Sequence, residues 1–97
     1  MTARPTLRHV VFFSAKDKAV IPPIVEGLGM LAAIPRSRHF EVRQNTQSDA
    51  LSSEVDVIVY AEFDSAAALA AYKAHPLYAA AIKAVRPLRD MRIAADF

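Results

Sequence analysis

The apolar positions of this chain change period several times, and each change marks an element. Leu7 to Ala15 contains Val10, Val11, Phe12 and Phe13, β-branched or aromatic throughout, the composition of a strand. Val10 and Phe12 fall on one side and Val11 with Phe13 on the other, so both faces are apolar, as in a central strand. From Lys16 to Ala19 the chain turns into a helix. Its stripe of Ile21, Ile24, Leu28 and Leu31, with Val25 beside it, recurs every three or four residues. Pro22 and Pro23 suit a first turn. Gly27 and Gly29 each weaken a helix interior by roughly 1 kcal/mol relative to Ala. Pro35 requires the helix to stop before it.

Phe40 to Gln44 alternates, with Phe40 and Val42 opposite Glu41 and Arg43, which predicts a half-exposed strand. Residues 45–54 are polar and form a loop. Val55 to Phe63 is the clearest strand. Val55, Val57, Val59, Ala61 and Phe63 make one apolar face, and Asp56, Ile58, Tyr60 and Glu62 make a mixed one. Asp64 and Ser65 are good N-cap residues before the Ala-rich helix Ala66 to Ala74, which carries Leu69 and Tyr72 on one face. His75 precedes a proline and is biased away from helical geometry. Pro76 fits the first turn of a new helix, continued by Tyr78, Ile82 and Val85 up to Pro87. Met91 to Phe97 is the last strand, with Met91, Ile93, Ala95 and Phe97 on one face.

The order is β-α-β-β-α-β. It predicts an α+β, ferredoxin-like fold: a four-stranded antiparallel sheet with the helices on one face. The chain of 97 residues is one domain, 1–97, with residues 1–6 a loose polar start. Helices cover only one side of such a sheet. The other side would expose Ile58, Tyr60 and either Val10 with Phe12 or Val11 with Phe13. An apolar patch of that kind calls for a partner, and the simplest one is a second copy, sheet against sheet, in a two-fold dimer. The 54% hydrophobic content is high for so short a chain and agrees with part of that surface being covered.

Composition then removes several classes of function. There is no cysteine, so disulfides, thiolate metal sites and cysteine nucleophiles are excluded. Two glycines cannot build a Gly-rich phosphate loop. Lys and Arg number 12 against 10 Asp and Glu, near balance. The one local excess, Lys83, Arg86, Arg89 and Arg92, reads as a solvated face and not as a nucleic-acid stripe. The run Val10 to Phe13 is too short for a signal-peptide core or a membrane span, so the cytoplasm is the expected location. Three scattered histidines make no metal site.

Several local motifs together resemble the stress-responsive A/B barrel (Dabb) domain. They are Arg8-His9-Val10-Val11-Phe12-Phe13, Gly27-Leu28 with Leu31 and Ile34-Pro35, Phe40-Glu41-Val42 with Asn45, Asp56-Val57-Ile58-Val59, and Asp96-Phe97. Tyr72-Lys73-Ala74-His75-Pro76 is the most specific of them. The resemblance implies a dimeric α+β barrel with a cleft between sheet and helices in each subunit. Most members have no established activity. The functional expectation is that this cleft binds a hydrophobic or aromatic small molecule. A few members are cofactor-independent enzymes, the best known being a plant polyketide cyclase that carries out an intramolecular aldol condensation with a histidine and a tyrosine. A related class, the antibiotic-biosynthesis monooxygenases, shares the topology.

Carried over residue by residue, Tyr72 matches the cyclase tyrosine, His75-Pro76 the His-Pro step, and His9 the histidine of the first strand. The cyclase keeps its basic histidine three positions after His75, and Tyr78 stands there in this chain. The candidate catalytic residues are therefore Tyr72, His75 and His9. A phenol beside an imidazole can transfer protons, the histidine as base and the tyrosine as donor to a developing oxyanion. The same residues have a structural reading. Tyr72 then belongs to the core, His75 caps a helix, and His9 is a satisfied core or interface histidine on the strand face that also carries Val11 and Phe13. His39, beside Arg36 and Arg38, reads as solvated.

Overall fold

Two strands, β1 (Leu7–Ala15) and β3 (Val57–Phe63), form the centre of a four-stranded sheet of order β2-β3-β1-β4. β2 is His39–Gln44 and β4 is Arg89–Asp96, and every neighbouring pair is antiparallel. The computed structural model describes residues 7–97. The loose start expected over residues 1–6 lies outside the described residues.

The register decides which face of β1 meets the core. Val11 stands opposite Val59 and Phe13 opposite Val57, so these four share the inner face, with Ala61 and Phe63, and all six are buried. Over that face lie three helices, α1 (Ile21–Gly29), α2 (Ala66–Ala74) and α3 (Pro76–Val85). Ile21, Ile24 and Leu28 of α1, Leu69 and Tyr72 of α2, and Ala81 and Val85 of α3 complete one core with Leu31 and Ile34.

Helix boundaries follow local chemistry. Pro22 and Pro23 occupy the first turn of α1, and the α-helix gives way to a 3-10 turn over Met30–Ala33. Ile34 is extended, as a residue before proline prefers. Ser65 caps α2 by accepting from the Ala68 N–H at 3.1 Å. His75 has φ −68° and ψ 142°, which ends α2 and lets Pro76 open α3. β3 starts at Val57 and not at Val55. β4 starts at Arg89, two residues before the expected Met91.

Gly27 has a packing reason. A Cβ there would lie 2.9 Å from Val85 Cγ2, so the missing side chain lets α1 approach α3. Gly29 has open space around it.

The outer face carries Val10, Phe12, Ile58 and Tyr60, all half-buried, with Ile93 55% and Phe97 62% exposed. Of the two alternatives left open by the sequence pattern, Val10 with Phe12 is the outward pair. Among the described residues no helix is long and apolar enough to cross a membrane.

Candidate functional site

The inner face and the helices do not close completely. Between them lies a cavity of about 250 Å³. His9, Val11, Phe13 and Val59 line it from the sheet, and Leu28, Tyr72, Tyr78, Ala81 and Val85 from the helices. Arg86, Arg89 and Arg92 line it where the chain passes from α3 into β4. Arg86 and Arg92 are exposed and Arg89 half-buried, so these three mark the open side.

His9 is 2% exposed, and its Nδ1 lies 2.5 Å from Asp96 Oδ1. Strand pairing brings the two side chains together. Arg8 and Phe97 exchange both backbone hydrogen bonds, at 2.6 and 2.9 Å. His9 and Asp96, next along the ladder, are therefore a non-hydrogen-bonded pair, the kind whose side chains stand closest. A carboxylate only accepts, so Nδ1 carries the proton of this bond.

Tyr72 is fully buried in α2. Its ring packs edge-on against Phe63 at 5.0 Å, Tyr78 at 5.4 Å and His9 at 6.4 Å between centroids. Its hydroxyl is the one buried side-chain polar atom among the described residues without a hydrogen-bond partner. Burial pushes the Tyr72 phenol well above the ordinary tyrosine value, with Tyr78 adding to the shift and the Arg92 charge opposing it. A buried polar group normally finds a partner, so this hydroxyl is kept at a cost.

His75 is placed differently. It is the N-cap of α3, its Nδ1 accepting from the Leu77 N–H at 3.1 Å, and it does not line the cavity. Its backbone still brackets the site: its N–H donates to the Tyr72 carbonyl and its carbonyl accepts from the Tyr78 N–H. The structure thus brings Tyr72 and His9 together on one cavity and leaves His75 at the helix junction. His39 is exposed and pairs with Glu41 at 2.7 Å. Among the described residues no group of three or more His, Asp or Glu side chains is arranged to hold a metal ion.

Asp96 and the three arginines are the site residues that sequence reasoning missed, whereas Tyr78 stood out there by its place three positions after His75. Asp96 was visible only as the end of a family motif, and its role depends on the β1–β4 register. The arginines read as a solvated face. Arg86 and Arg92 do meet solvent, but they line the cavity as well.

Solved structures with this fold include a Dabb family protein from Mesorhizobium loti, 22% identical, with a TM-score of 0.78 over 97% of this chain and 96% of that one. A dimeric ferredoxin-like protein of unknown function from Thermobifida fusca is 25% identical, with a TM-score of 0.79 over 94% and 88%. A putative antibiotic biosynthesis monooxygenase from Nitrosomonas europaea is 14% identical, with a TM-score of 0.77 over 95% and 96%. No curated protein matches the chain. The sequence matches the stress responsive A/B barrel domain over residues 7–97, and the chain belongs to that family.

Proposed function

We propose that the protein is a homodimer whose cleft binds a small hydrophobic or aromatic molecule. The observation that carries the binding reading is the Tyr72 hydroxyl, buried and without a hydrogen-bond partner, on a residue that lines the cavity between sheet and helices. A ligand oxygen there would supply the missing partner. The volume of about 250 Å³ exceeds the roughly 150 Å³ that accommodates benzene in an apolar cavity. Dimerisation is supported by the outward Val10, Phe12, Ile58 and Ile93 and by the dimeric relatives from Bacteroides fragilis, Thermobifida fusca and Jannaschia.

Two measurements test this. Sedimentation at micromolar concentration should give twice the 10.6 kDa chain mass, and a stable monomer would end the dimer reading. A thermal-shift screen with aromatic and polyketide-like acids should raise the melting temperature, because a ligand that binds only the native state stabilises it by mass action. Tyr72→Phe should lose most of that shift at unchanged fold. No stabilisation by any member of the set rules out the binding reading.

A second reading, a cofactor-independent acid–base enzyme, is favoured by the His9–Asp96 bond. In it Asp96 orients the imidazole, Nε2 takes a proton from a carbon acid in the cleft, and Tyr72 donates to the enolate oxygen. His75 holds the α2–α3 junction that sets Tyr72 against Tyr78. This predicts exchange of α-protons of a cleft-bound aryl ketone with D₂O, read by NMR. Exchange at the buffer rate, or undiminished in His9→Ala, refutes it.

A further inference from the structure

Arg86, Arg89 and Arg92 recur at every third position across the turn from α3 to β4, and all three line the same cavity. Its walls include no Asp or Glu. None of the three guanidinium groups makes an ion pair with a carboxylate among the described residues, and the only hydrogen bond of theirs is from Arg89 Nη1 to the Asp90 carbonyl, 3.3 Å. Arg86 caps the C-terminus of α3, where a cation is favoured by the helix dipole. That accounts for Arg86 but not for Arg89 or Arg92. Arg92 stands opposite Phe13 in the β1–β4 ladder, which puts it on the inner face, and its charge is felt at the Tyr72 hydroxyl.

We propose that Arg89 and Arg92, with Arg86 behind them, form an anion-binding rim, so that the cleft takes amphipathic carboxylates: an aromatic or aliphatic body inside and a carboxylate on the arginines. This deepens the cleft-binding reading above and rests on it. Arginine suits this work because its planar fork meets a carboxylate through two parallel N–H···O bonds. The negative end of α3 points to the same rim and offsets part of its field, which suits a monoanion better than a phosphate dianion.

The test uses matched pairs of aryl carboxylates and their primary amides, such as benzoate with benzamide and 3-phenylpropanoate with 3-phenylpropanamide, titrated into the full-length chain by NMR. Each carboxylate should bind about tenfold or more tighter than its amide, the strength of a charge-assisted pair. At 1 M salt, where the Debye length falls to about 3 Å, that preference should shrink. Arg89→Gln with Arg92→Gln should abolish the preference, with the melting temperature and the dispersion of the NMR spectrum showing an intact fold. Arg89→Lys with Arg92→Lys should retain part of it, because the charge is kept while the planar fork is lost. Equal affinity of acid and amide overturns the anionic rim and leaves the cleft reading standing. A preference that survives the double Gln variant overturns the assignment to these arginines. No binding by any pair overturns both.

Discussion

His9 Nδ1 lies 2.5 Å from Asp96 Oδ1, across 87 residues of sequence and one rung of the β1–β4 ladder. The bond joins the first strand to the last and fixes which imidazole nitrogen faces the acceptor. Long-range ¹⁵N–¹H NMR should therefore find a proton on Nδ1 of His9. Asp96→Ala leaves a buried donor unpaired and should cost about 1–3 kcal/mol. For a domain of this size that is a fall in melting temperature of about 4–8 °C for each kcal/mol. Asp96→Asn can still accept through Oδ1 and should cost less. An unchanged melting temperature in Asp96→Ala would show that the bond contributes nothing to folding.

Tyr72→Phe should behave in the opposite way. The hydroxyl is buried and unpartnered, so removing it relieves a desolvation penalty while keeping the ring contacts with Phe63 and Tyr78. The variant should match the wild type or gain up to about 1–2 kcal/mol in urea unfolding. A stability gain joined to a loss of ligand response is the signature of a group retained for function. In the free wild-type protein, alkaline titration followed by tyrosine absorbance should show Tyr72 ionising above the ordinary value of 10.0, because burial disfavours its phenolate. With the native value raised, the stability linked to this proton is complete below the unfolded value and is lost as pH rises above it.

The same contrast between local rule and packing separates the two glycines of α1. Replacing either by Ala should gain about 1 kcal/mol in helix propensity. At Gly29, which has open space, that gain should appear in full or nearly so. At Gly27 the new methyl meets Val85 Cγ2 at 2.9 Å, and overpacking costs about 1–3 kcal/mol. Gly27→Ala should therefore be neutral to destabilising, by up to about 2 kcal/mol. Val85 also lines the cavity, so the same change should weaken ligand response. Guanidinium melts of both variants decide this, and equal gains at the two positions would refute the close-packing account.

What was legible in the sequence is what local chemistry controls. Alternation from Val57 to Phe63 fixed a strand and its inner face. Pro76 after His75 fixed the α2–α3 break, because a residue before proline avoids helical angles. The two apolar faces of β1 defeated the same logic. With Val10 and Phe12 on one side and Val11 and Phe13 on the other, only pairing of Val11 with Val59 chooses the inner one. The site was half legible for a related reason. Tyr72 and His9 stood out by residue type, whereas Asp96 and Arg92 join the site through register with β1, a relationship no local window contains.

Asp56 gives the last prediction. Its carboxylate is buried just before β3, where it accepts from the Ala15 N–H at 2.8 Å and pairs with Lys18 Nζ. Burial alone would raise this carboxyl. The Lys18 hydrogen bond and charge, with the Ala15 N–H, outweigh that effect and hold it below its ordinary value of 3.8. Its contribution to stability is then complete above that value and lost as pH falls below it through the native one. Glu41 is also lowered, by its bonds to His39 and then Arg43, so the wild-type curve alone cannot isolate Asp56. The comparison with Asp56→Asn can. Wild type should exceed the variant by about 1–3 kcal/mol near neutrality, and the gap should close on acidification below pH 3.8. Lys18 is 68% exposed, so solvent screens its side of the pair, and Lys18→Met should cost less than about 1 kcal/mol. If Lys18→Met costs as much as Asp56→Asn, the ion pair and not the buried Ala15 bond anchors the β1 to β3 corner.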